Sequence, residues 1–328
     1  KTIGFNTIME EGKELIKNGD KSFIQIAIDP DEFKALFFTS GTTANSKGVM
    51  VNNRQLANNI NAVSAYVYID ETDRFFSVLP LHHTYESSIG FLLPFALGAS
   101  ITVCQGLRHI SDNLKETHPT IMIAVPLLLE SLYKNIMKNI KKKVFKEIYD
   151  GIGGNIRFVV SAAAPIDKKI GKWYEDLGIM FLQGYGLTET SHISAVTPDF
   201  DTRIGSAGKT IINGKVKVDN PGENGEGELL ISTNTLMMGY YEDEEATKEV
   251  IEYDENGKRW FHSGDIGYVD EDDFIYITGR IKNVIVTQNG KNIFPEELEL
   301  LLSSIKEIEE CMVYGKEVER RERVNSNL

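Results

Sequence analysis

Apolar runs of strand length alternate with amphipathic stretches of helix length along the first 190 residues. This alternation predicts an α/β fold with a mostly parallel sheet and helices on both of its faces. In such sheets, ligands bind where the strands end. The predicted strands are residues 23–28, 35–38, 73–80, 120–125, 155–165 and 179–183. The predicted helices are residues 8–19, 53–66 with Asn52 as N-cap, 112–118 with Ser111 as N-cap, 131–149 and 166–178.

The pattern changes near Thr197, where Gly, Asn and Pro become frequent between short alternating runs. This composition predicts hairpins and a small β-rich subdomain. A short helix at 243–251, a hairpin at 260–279 and a helix opening on Pro295 follow. We therefore expect three parts: residues 1–199 as an α/β ligand-binding region, 200–279 as a β-rich subdomain, and 280–328 as a hinge with the beginning of a further domain.

The segment TSGTTANSKG, residues 39–48, is the first candidate for chemistry. It follows the short apolar run 35–38, predicted as a buried strand, and combines a glycine, several hydroxyl side chains and Lys47. Gly41 allows the backbone to approach an anion, and the lysine adds charge, so the segment fits a polyphosphate. It is not a Walker A loop, because Ser46 stands where a glycine should precede the lysine. A polar surface loop is the alternative.

Composition narrows the class of partner. The chain has 328 residues, of which 41% are hydrophobic, and a net charge of −13. This charge argues against nucleic acid as a partner.

Cys104 and Cys311 lack the spacing of a disulfide framework or a zinc site, so a reducing cytoplasm fits best. The apolar run 90–104 is too short to span a bilayer and is predicted to lie in the core. No signal peptide is visible, and the chain begins at Lys1 rather than Met, so we expect it to be truncated at both ends.

Three more segments accompany the first: LPLHHTYE at 79–86, QGYGLTET at 183–190 and SGDIGYVDEDDFIYITGRIKN at 263–283. In this order and at these spacings, the four segments resemble the adenylate-forming superfamily, which includes acyl- and aryl-CoA synthetases, peptide-synthetase adenylation domains and luciferases. The resemblance extends over nearly the whole chain and is strongest to bacterial long-chain fatty acyl-CoA synthetases. It implies the fold of the large N-terminal domain of that superfamily.

The resemblance also implies a reaction. A carboxylic acid is joined to AMP with release of pyrophosphate, and the acyl group then passes to a thiol. ATP, Mg²⁺ and coenzyme A as acceptor are the implied cofactors and partners. The implied phosphate-loop residues are Thr39, Ser40, Gly41, Thr42, Thr43 and Lys47. Glu189, with the Thr39 hydroxyl, is implied to hold Mg²⁺, and Thr188 to contact the α-phosphate. Outside this pattern, Thr188 and Glu189 would be interpreted as a solvated helix start.

The adenine is implied to lie between Tyr185 and the small residues at 161–165, in a pocket lined by Ala162, Ala163, Gln183 and Gly184. The superfamily more often has glycine at the two alanine positions, so a slightly tighter pocket is expected. Otherwise SAAAP would be a close-packing strand end.

Asp265, in the predicted Ser-Gly-Asp turn, is implied to accept both ribose hydroxyls, with Arg280 as donor. A hairpin Asx cap is the alternative for Asp265. Lys282 is also among the residues implied to bind the nucleotide, and it falls at the implied hinge between the two domains.

His83 matches the histidine that borders the acyl carboxylate and the phosphate, whereas His82 is interpreted as structural. Gly290 lies on the loop implied to approach the pantetheine arm. A second lysine, which contacts the forming acyl phosphate in the superfamily, has no counterpart in the tail 318–328. The catalytic lysine therefore cannot be assigned in this sequence.

The apolar run 87–98 favours a medium- to long-chain fatty acid, because it offers no aspartate to hold an amino group. An aryl-CoA ligase is the nearest alternative, and an amino-acid adenylation domain is less favoured. A non-catalytic nucleotide-binding remnant of the fold is a further alternative, opposed by the intact Lys47, Glu189, Asp265 and Arg280. A P-loop kinase or hydrolase lacks its glycine-lysine pair.

Overall fold

The computed structural model describes residues 3–39, 46–139, 145–286, 292–303, 305, 308 and 311–315. Its helices are α1 (Phe5–Lys17), α2 (Asn53–Ser64), α3 (Leu93–Leu97), α4 (Ile110–Thr117), α5 (Pro126–Asn139), α6 (Phe145–Gly151), α7 (Lys168–Asp176), α8 (Glu244–Val250) and α9 (Pro295–Ser303). A π-helix spans Glu86–Leu92, and 3₁₀ turns span Leu107–His109, Thr188–Thr190 and Ile281–Asn283.

The strands follow in chain order. They are β1 (Phe33–Thr39), β2 (Lys47–Asn52), β3 (Arg74–Ser77), β4 (Ser100–Val103), β5 (Ile121–Ala124), β6 (Phe158–Ala162), β7 (Met180–Tyr185), β8 (Ala195–Val196), β9 (Lys209–Thr210), β10 (Lys215–Asp219), β11 (Gly227–Ser232), β12 (Gly239–Tyr240), β13 (Ile251–Tyr253), β14 (Arg259–Val269), β15 (Ile275–Arg280), β16 (Ile285–Val286) and β17 (Asn292–Ile293).

A seven-stranded sheet with the order β4-β3-β5-β6-β7-β8-β9 forms the centre of the α/β part. The first five strands in this order run parallel, and β8 and β9 add antiparallel pairs at one edge. The carboxyl ends of β6 and β7 are therefore neighbours, with Ala162 opposite Gly184. The predicted fold, a mostly parallel sheet with helices, is confirmed.

Both faces of this sheet are covered, because alternate residues of its strands enter two different apolar clusters. Phe75, Ile121 and Phe158 pack with residues of α2 and the π-helix. Their neighbours in sequence, Phe76, Met122 and Val159, pack on the opposite face with residues of α4, α5 and α7. A strand buried on both faces needs a continuous apolar sequence, which is the pattern that the chain shows there.

A second sheet, of five antiparallel strands, follows the first along the chain. Its order is β10-β11-β14-β13, with β15 also paired to β14. The predicted β-rich character and the predicted hairpin at 260–279 both agree with this sheet. The bounds proposed for the three domains stay a prediction.

The phosphate-loop candidate lies between two antiparallel strands, not between a strand and a helix. β1 and β2 pair so that Thr39 stands opposite Lys47, and β12 pairs with the other edge of β2. The expectation of a fully buried strand at 35–38 is wrong, because Phe38 is 70% exposed. Asn52 caps α2 as predicted and accepts from the N–H of Gln55, whose side chain accepts from the N–H of Asn52 in return.

Other local predictions differ from the structure. Residues 23–28 form turns and an exposed extended stretch, because they pair with no strand in the described part of the chain. Ser111 lies inside α4, whose N-cap is His109, because the helix begins at Ile110, two residues earlier than predicted. The helix predicted at 131–149 begins at Pro126, and residues 140–144 lie outside the described ranges.

The apolar run 90–104 is only partly core. Leu93 and Pro94 are buried, whereas Phe95 and Val103 are largely exposed, because the segment bends at Gly98 and leaves one side uncovered. In the described part of the chain, no helix combines the length and the apolar character that crossing a bilayer requires. Cys104 and Cys311 are both free thiols, as expected.

Candidate active site

The loop after β7, residues 186–192, lies at the centre of the candidate site. The loop folds back on itself: the N–H of His192 donates to Leu187 O at 2.8 Å. A Cβ on Gly186 would come within 2.1 Å of the carbonyl oxygen of His192, so only glycine fits at that position. Ser191 and His192 have φ values of 51° and 83°, a backbone that side chains rarely adopt. The tight turn fixes the direction of Glu189.

Two side chains of α2 donate hydrogen bonds to this loop and to a neighbouring segment. Asn59 is completely buried, and its Nδ2 donates to Ser191 O, while Gln55 Nε2 donates to Leu236 O. Ser191 Oγ in turn donates to Thr235 O at 2.7 Å. The helix that follows the phosphate-loop strands is thereby connected to the loop that carries Glu189.

One tyrosine, Tyr240, contacts both Lys47 and Glu189. Lys47 Nζ lies 4.7 Å from the centre of the Tyr240 ring, and the Tyr240 hydroxyl donates to Glu189 Oε1 at 2.8 Å. β1 lies against the Thr188–Thr190 turn, which brings the end of that strand, Thr39, to the same region. Ser40, Gly41, Thr42 and Thr43 lie outside the described residues.

These groups fit a magnesium ion by the chemistry of their donors. Glu189 is half-buried, and Thr39, at the end of the strand that contacts its turn, carries a hydroxyl. Carboxylate and hydroxyl oxygens are hard ligands of the kind that Mg²⁺ binds, together with the oxygens of phosphates. Thr188, the other residue predicted to contact phosphate, is the first residue of the same turn.

Asp265 and Arg280 form a cross-strand pair in the second sheet. They stand opposite each other on β14 and β15, and Arg280 Nε donates to Asp265 Oδ1 at 2.7 Å. The predicted turn position of Asp265 is wrong: the Ser-Gly-Asp segment lies inside the long strand β14, because the hairpin turns later, at 270–274. The Asx-cap alternative therefore does not apply.

The other carboxylate oxygen of Asp265 reaches the first sheet. Tyr185 donates from its hydroxyl to Asp265 Oδ2 at 2.7 Å. Burial raises the pKa of Asp265, although Arg280 and Tyr185 offset part of that effect. Burial also raises the pKa of Tyr185 well above its usual value, and the Asp265 charge adds to it, so the phenol remains a donor. Burial opposes the charge of Arg280, but Asp265 outweighs it and the pKa of Arg280 is raised.

The predicted adenine residues lie at the ends of β6 and β7. Ala162 and Gly184 face each other across the two strands and line a common cavity. Ala163 has a φ of 75°, so a glycine would relieve strain there. The side chain of Gln183 is engaged elsewhere: its Oε1 accepts from the N–H of Gly205 at 2.8 Å.

His83 contacts a second histidine that sequence reasoning missed. The rings of His83 and His192 lie edge to face, 5.5 Å apart, and Tyr85 stacks on His192 at 4.6 Å. Thr84 Oγ1 lies 3.0 Å from His192 Nδ1. Burial, with a smaller contribution from His83, lowers the pKa of His192 to about 3, so its ring is neutral at physiological pH.

The side chain of His83 is more exposed than that of His192. Its Nδ1 accepts from the N–H of Tyr85 at 3.3 Å, and its partial burial, aided by His82, lowers its pKa. His82 is exposed, and its structural interpretation stays a prediction. The loop thus presents one neutral imidazole towards solvent at the edge of the site.

A carboxyl group, Glu86, is buried directly behind this loop. Ser77 Oγ donates to Glu86 Oε1, and Oε2 has no hydrogen-bond partner among the described residues. Burial raises the pKa of Glu86 to about 7, with Ser77 and the N–H of Leu79 opposing the shift. Gly90 allows this arrangement, because a Cβ there would lie 2.6 Å from the carboxyl carbon.

A cavity of about 30 Å³ lies between α2, the π-helix and the sheet. It begins at the adenine candidates Gly184 and Ala162 and at His192. Its other described lining residues include Val63, Ile89, Leu93, Ile123 and Phe158, all apolar. The predicted apolar cavity beside the histidine segment is therefore present.

Two predicted positions remain. Lys282 is exposed in the 3₁₀ turn Ile281–Asn283, two residues after Arg280. Gly290 lies outside the described residues. The roles assigned to both stay predictions.

Tyr240, His192 and Glu86 are the polar residues of the site that the sequence did not indicate. His192 directly follows the motif that carries Glu189, and Glu86 closes the histidine motif, so both lay beside segments already singled out. Tyr240 has no such signal, because its segment MMGYY is an ordinary short strand in sequence.

The parallel sheet, the antiparallel sheet and the meeting of the four segments agree with the fold that the family resemblance implies. Residues 5–241 match the family model described as AMP-binding enzyme, and the chain belongs to this family. A long-chain-fatty-acid–CoA ligase of Mycobacterium bovis is 28% identical over 85% of this chain and 52% of its own length. The 4-coumarate–CoA ligase 1 of Oryza sativa subsp. japonica is 30% identical over 96% of this chain and 56% of its own length.

Among solved structures, the o-succinylbenzoate coenzyme A synthetase of Bacillus subtilis, in complex with ATP and magnesium ion, aligns with a TM-score of 0.74 and 25% identity. The alignment covers 89% of this chain and 59% of that one. The chain spans about half the length of the curated relatives it matches.

Proposed function

We propose that this chain forms the nucleotide- and acid-binding part of an AMP-forming acid–thiol ligase. The enzyme would join a carboxylic acid to the α-phosphate of ATP, release pyrophosphate and pass the acyl group to coenzyme A. The observation that carries the proposal is the convergence on residues 185–192: Tyr240 links Lys47 to Glu189, Tyr185 bonds to Asp265, and His192 contacts His83.

The chemistry requires charge neutralisation more than proton transfer. The acid is already ionised at neutral pH, so the barrier arises from bringing its carboxylate to a negatively charged phosphate. Lys47 and Arg280 supply positive charge at the two ends of the candidate site. His83, whose ring is neutral under these conditions, would border the carboxylate without requiring a counter-ion.

Each remaining residue would position the nucleotide. Asp265 would accept from the ribose hydroxyls, since a carboxylate is well suited to a vicinal diol. Tyr185 would contact the adenine beside Ala162 and Gly184, and Thr188 the α-phosphate. Glu189 and Thr39 would hold magnesium, which when bound neutralises phosphate charge and draws electron density from the phosphorus.

A fatty acid of medium to long chain is our first candidate for the acid. The cavity that begins beside His192 is lined almost entirely by aliphatic and aromatic side chains, which matches the chemistry of an alkyl tail. Its volume of about 30 Å³ is far below the roughly 300 Å³ of a ligand pocket, so the acid would have to displace lining side chains. Among its described lining residues none carries a carboxylate, which disfavours an amino acid, because an ammonium group would lie there without a partner.

An aromatic acid is the second candidate. Relatives of this chain include 4-coumarate–CoA ligases of Oryza sativa, at 30% and 32% identity. The hydroxyl of Tyr85, which donates to Val160 O at 3.2 Å, and His192 are polar groups of the cavity wall. They could contact a ring hydroxyl. We further propose the cytoplasm as the compartment, because ATP and coenzyme A are supplied there.

ATP–pyrophosphate exchange on the full-length protein tests the proposal. Exchange should require magnesium, and saturated fatty acids should raise its rate above that of a reaction without acid. Coumarate and amino acids are assayed separately as alternative substrates. A stronger response to coumarate would favour the aryl-CoA ligase. Absence of exchange with every acid, in protein that binds ATP, would instead support a non-catalytic nucleotide-binding remnant.

A further inference from the structure

Tyr240 lies on a strand that is fixed to the strand of Lys47. β12 pairs with β2 so that Tyr240 stands opposite Val49. The N–H groups on either side add two more bonds, from Met238 to Met50 O at 2.9 Å and from Tyr241 to Gly48 O at 2.7 Å. The backbone of Tyr240 therefore keeps a constant distance from the strand that begins at Lys47.

The same segment is fixed to the loop of Glu189. The N–H of Met237 donates to Glu189 O at 2.7 Å. The N–H of Tyr240 donates to Thr247 Oγ1 at 2.9 Å, which anchors the strand to α8. The tyrosine thus stands on a backbone that is bonded to the strand of Lys47, at Gly48 and Met50, and to Glu189 itself.

The side chain of Tyr240 contacts both charges at once. It is only 6% exposed; Lys47 Nζ lies 4.7 Å above its ring, and its hydroxyl donates to Glu189 Oε1 at 2.8 Å. The ring face attracts the ammonium group, and the hydroxyl supports the carboxylate. Because the bond uses Oε1, Glu189 can still bind a cation through Oε2.

The hydroxyl remains a donor under all physiological conditions. Burial raises the pKa of Tyr240 far above its usual value, and the neighbouring charge of Glu189 raises it further. Glu189 therefore always meets a protonated phenol.

We propose that Tyr240 is a positioning residue that fixes the separation between the Lys47 ammonium and the Glu189 carboxylate. It thereby couples the binding of the outer phosphates to the binding of the divalent cation. This inference rests on the proposed function, since it assigns Lys47 to the phosphates and Glu189 to the cation. The alternative is a purely structural tyrosine, whose loss would affect folding alone.

The variant Y240F removes the hydroxyl and keeps the ring. Titration calorimetry should show ATP binding without metal within twofold of wild type, because Lys47 still lies over an aromatic face. The Mg²⁺ concentration that half-saturates the ATP complex should rise about tenfold, the effect of losing a hydrogen bond to a charged group. Electron paramagnetic resonance with Mn²⁺ in place of Mg²⁺ gives the same comparison without any turnover.

The variant Y240L removes the ring as well. It should show the same rise in the metal requirement and, in addition, a loss of about two- to fivefold in metal-free ATP binding. The variant Y241F is the matched control, because Tyr241 is the next residue, is 50% exposed and loses the same hydroxyl. Y241F should match wild type in both measurements.

A double variant separates positioning from folding. In an E189Q background, Y240F should cause no further change in metal dependence, because its effect passes through that carboxylate. Thermal unfolding of each variant measures stability independently. If Y240F lowered the melting temperature but kept the wild-type metal dependence, the inference would be overturned while the proposed function stood. If wild type bound no ATP at all, both would be wrong.

Discussion

The Tyr185 hydroxyl donates to Asp265 Oδ2 at 2.7 Å, and this bond joins the end of the parallel sheet to the long strand of the antiparallel sheet. The two residues were predicted to contact different parts of one nucleotide, the adenine and the ribose. Their direct bond connects these two predicted roles, since a change in either side chain removes a hydrogen-bond partner of the other.

We expect D265N to weaken the binding of ATP and of AMP alike by roughly tenfold to a hundredfold, the effect of charged hydrogen bonds that contribute about 1.5–3 kcal/mol. Binding of pyrophosphate, which has no ribose, should stay unchanged. Titration calorimetry with the three ligands measures this. D272N is the control, because Asp272 is an exposed aspartate of the same hairpin and forms an ion pair with Arg203. Unchanged AMP affinity in D265N would refute the ribose assignment.

The variant E189Q should lose magnesium-dependent adenylation by about a hundredfold or more, because a neutral amide binds a hard divalent cation poorly and charge neutralisation is the main catalytic term. The fold should persist, since the amide can still accept from Tyr240. ATP–pyrophosphate exchange at several Mg²⁺ concentrations checks this. E223Q, at an exposed position of another loop, is the control. Normal exchange in E189Q would remove this residue from the mechanism.

The apolar cavity gives a prediction about the acid. I89A removes a side chain that lines it and should shift the preference among fatty acids towards longer or bulkier chains, by about tenfold in relative kcat/KM. I170A is the matched control: it makes the same deletion in the cluster on the opposite face of the sheet. Both should cost about 2–5 kcal/mol in stability. An equal change in preference in both variants would mean that the cavity does not hold the acid.

The sequence predicted the parallel sheet and that several candidate residues lie together at one edge of it, whereas their roles stay predictions. Ala162, Gly184 and Tyr185 close apolar strands, and their order along the chain is enough to bring them to one edge. Thr39 and Lys47 also lie close together in sequence, and the structure makes them cross-strand partners.

Contacts between distant segments could not be predicted in this way. Tyr240 is 51 residues from Glu189, and Thr84 is 108 residues from His192. Both contacts depend on how separate sheets and loops pack. The antiparallel strand β2 was missed for a related reason, since residues 47–52 acquire strand structure from pairing on both edges with β1 and β12.

Glu86 gives the last prediction, which concerns pH. Its pKa is raised from 4.5 to about 7 by burial, so the folded protein binds this proton more tightly than the unfolded chain does. The stabilising contribution of the protonated carboxyl is therefore complete below pH 4.5 and is lost as the pH rises to about 7. His192 changes stability in the opposite direction, because its lowered pKa makes acidification unfavourable. A comparison of variants is needed to separate the effect of Glu86 on stability from that of His192.

We expect E86Q, which cannot ionise, to become more stable relative to wild type by up to about 3 kcal/mol between pH 4 and pH 8. Urea unfolding across this range measures the difference, from which the titration of every other group cancels. E244Q is the control, because the Glu244 side chain is 90% exposed and should give a flat difference. A flat difference for E86Q as well would mean that Glu86 ionises without cost in the folded protein, through a water or a partner that relieves its buried Oε2.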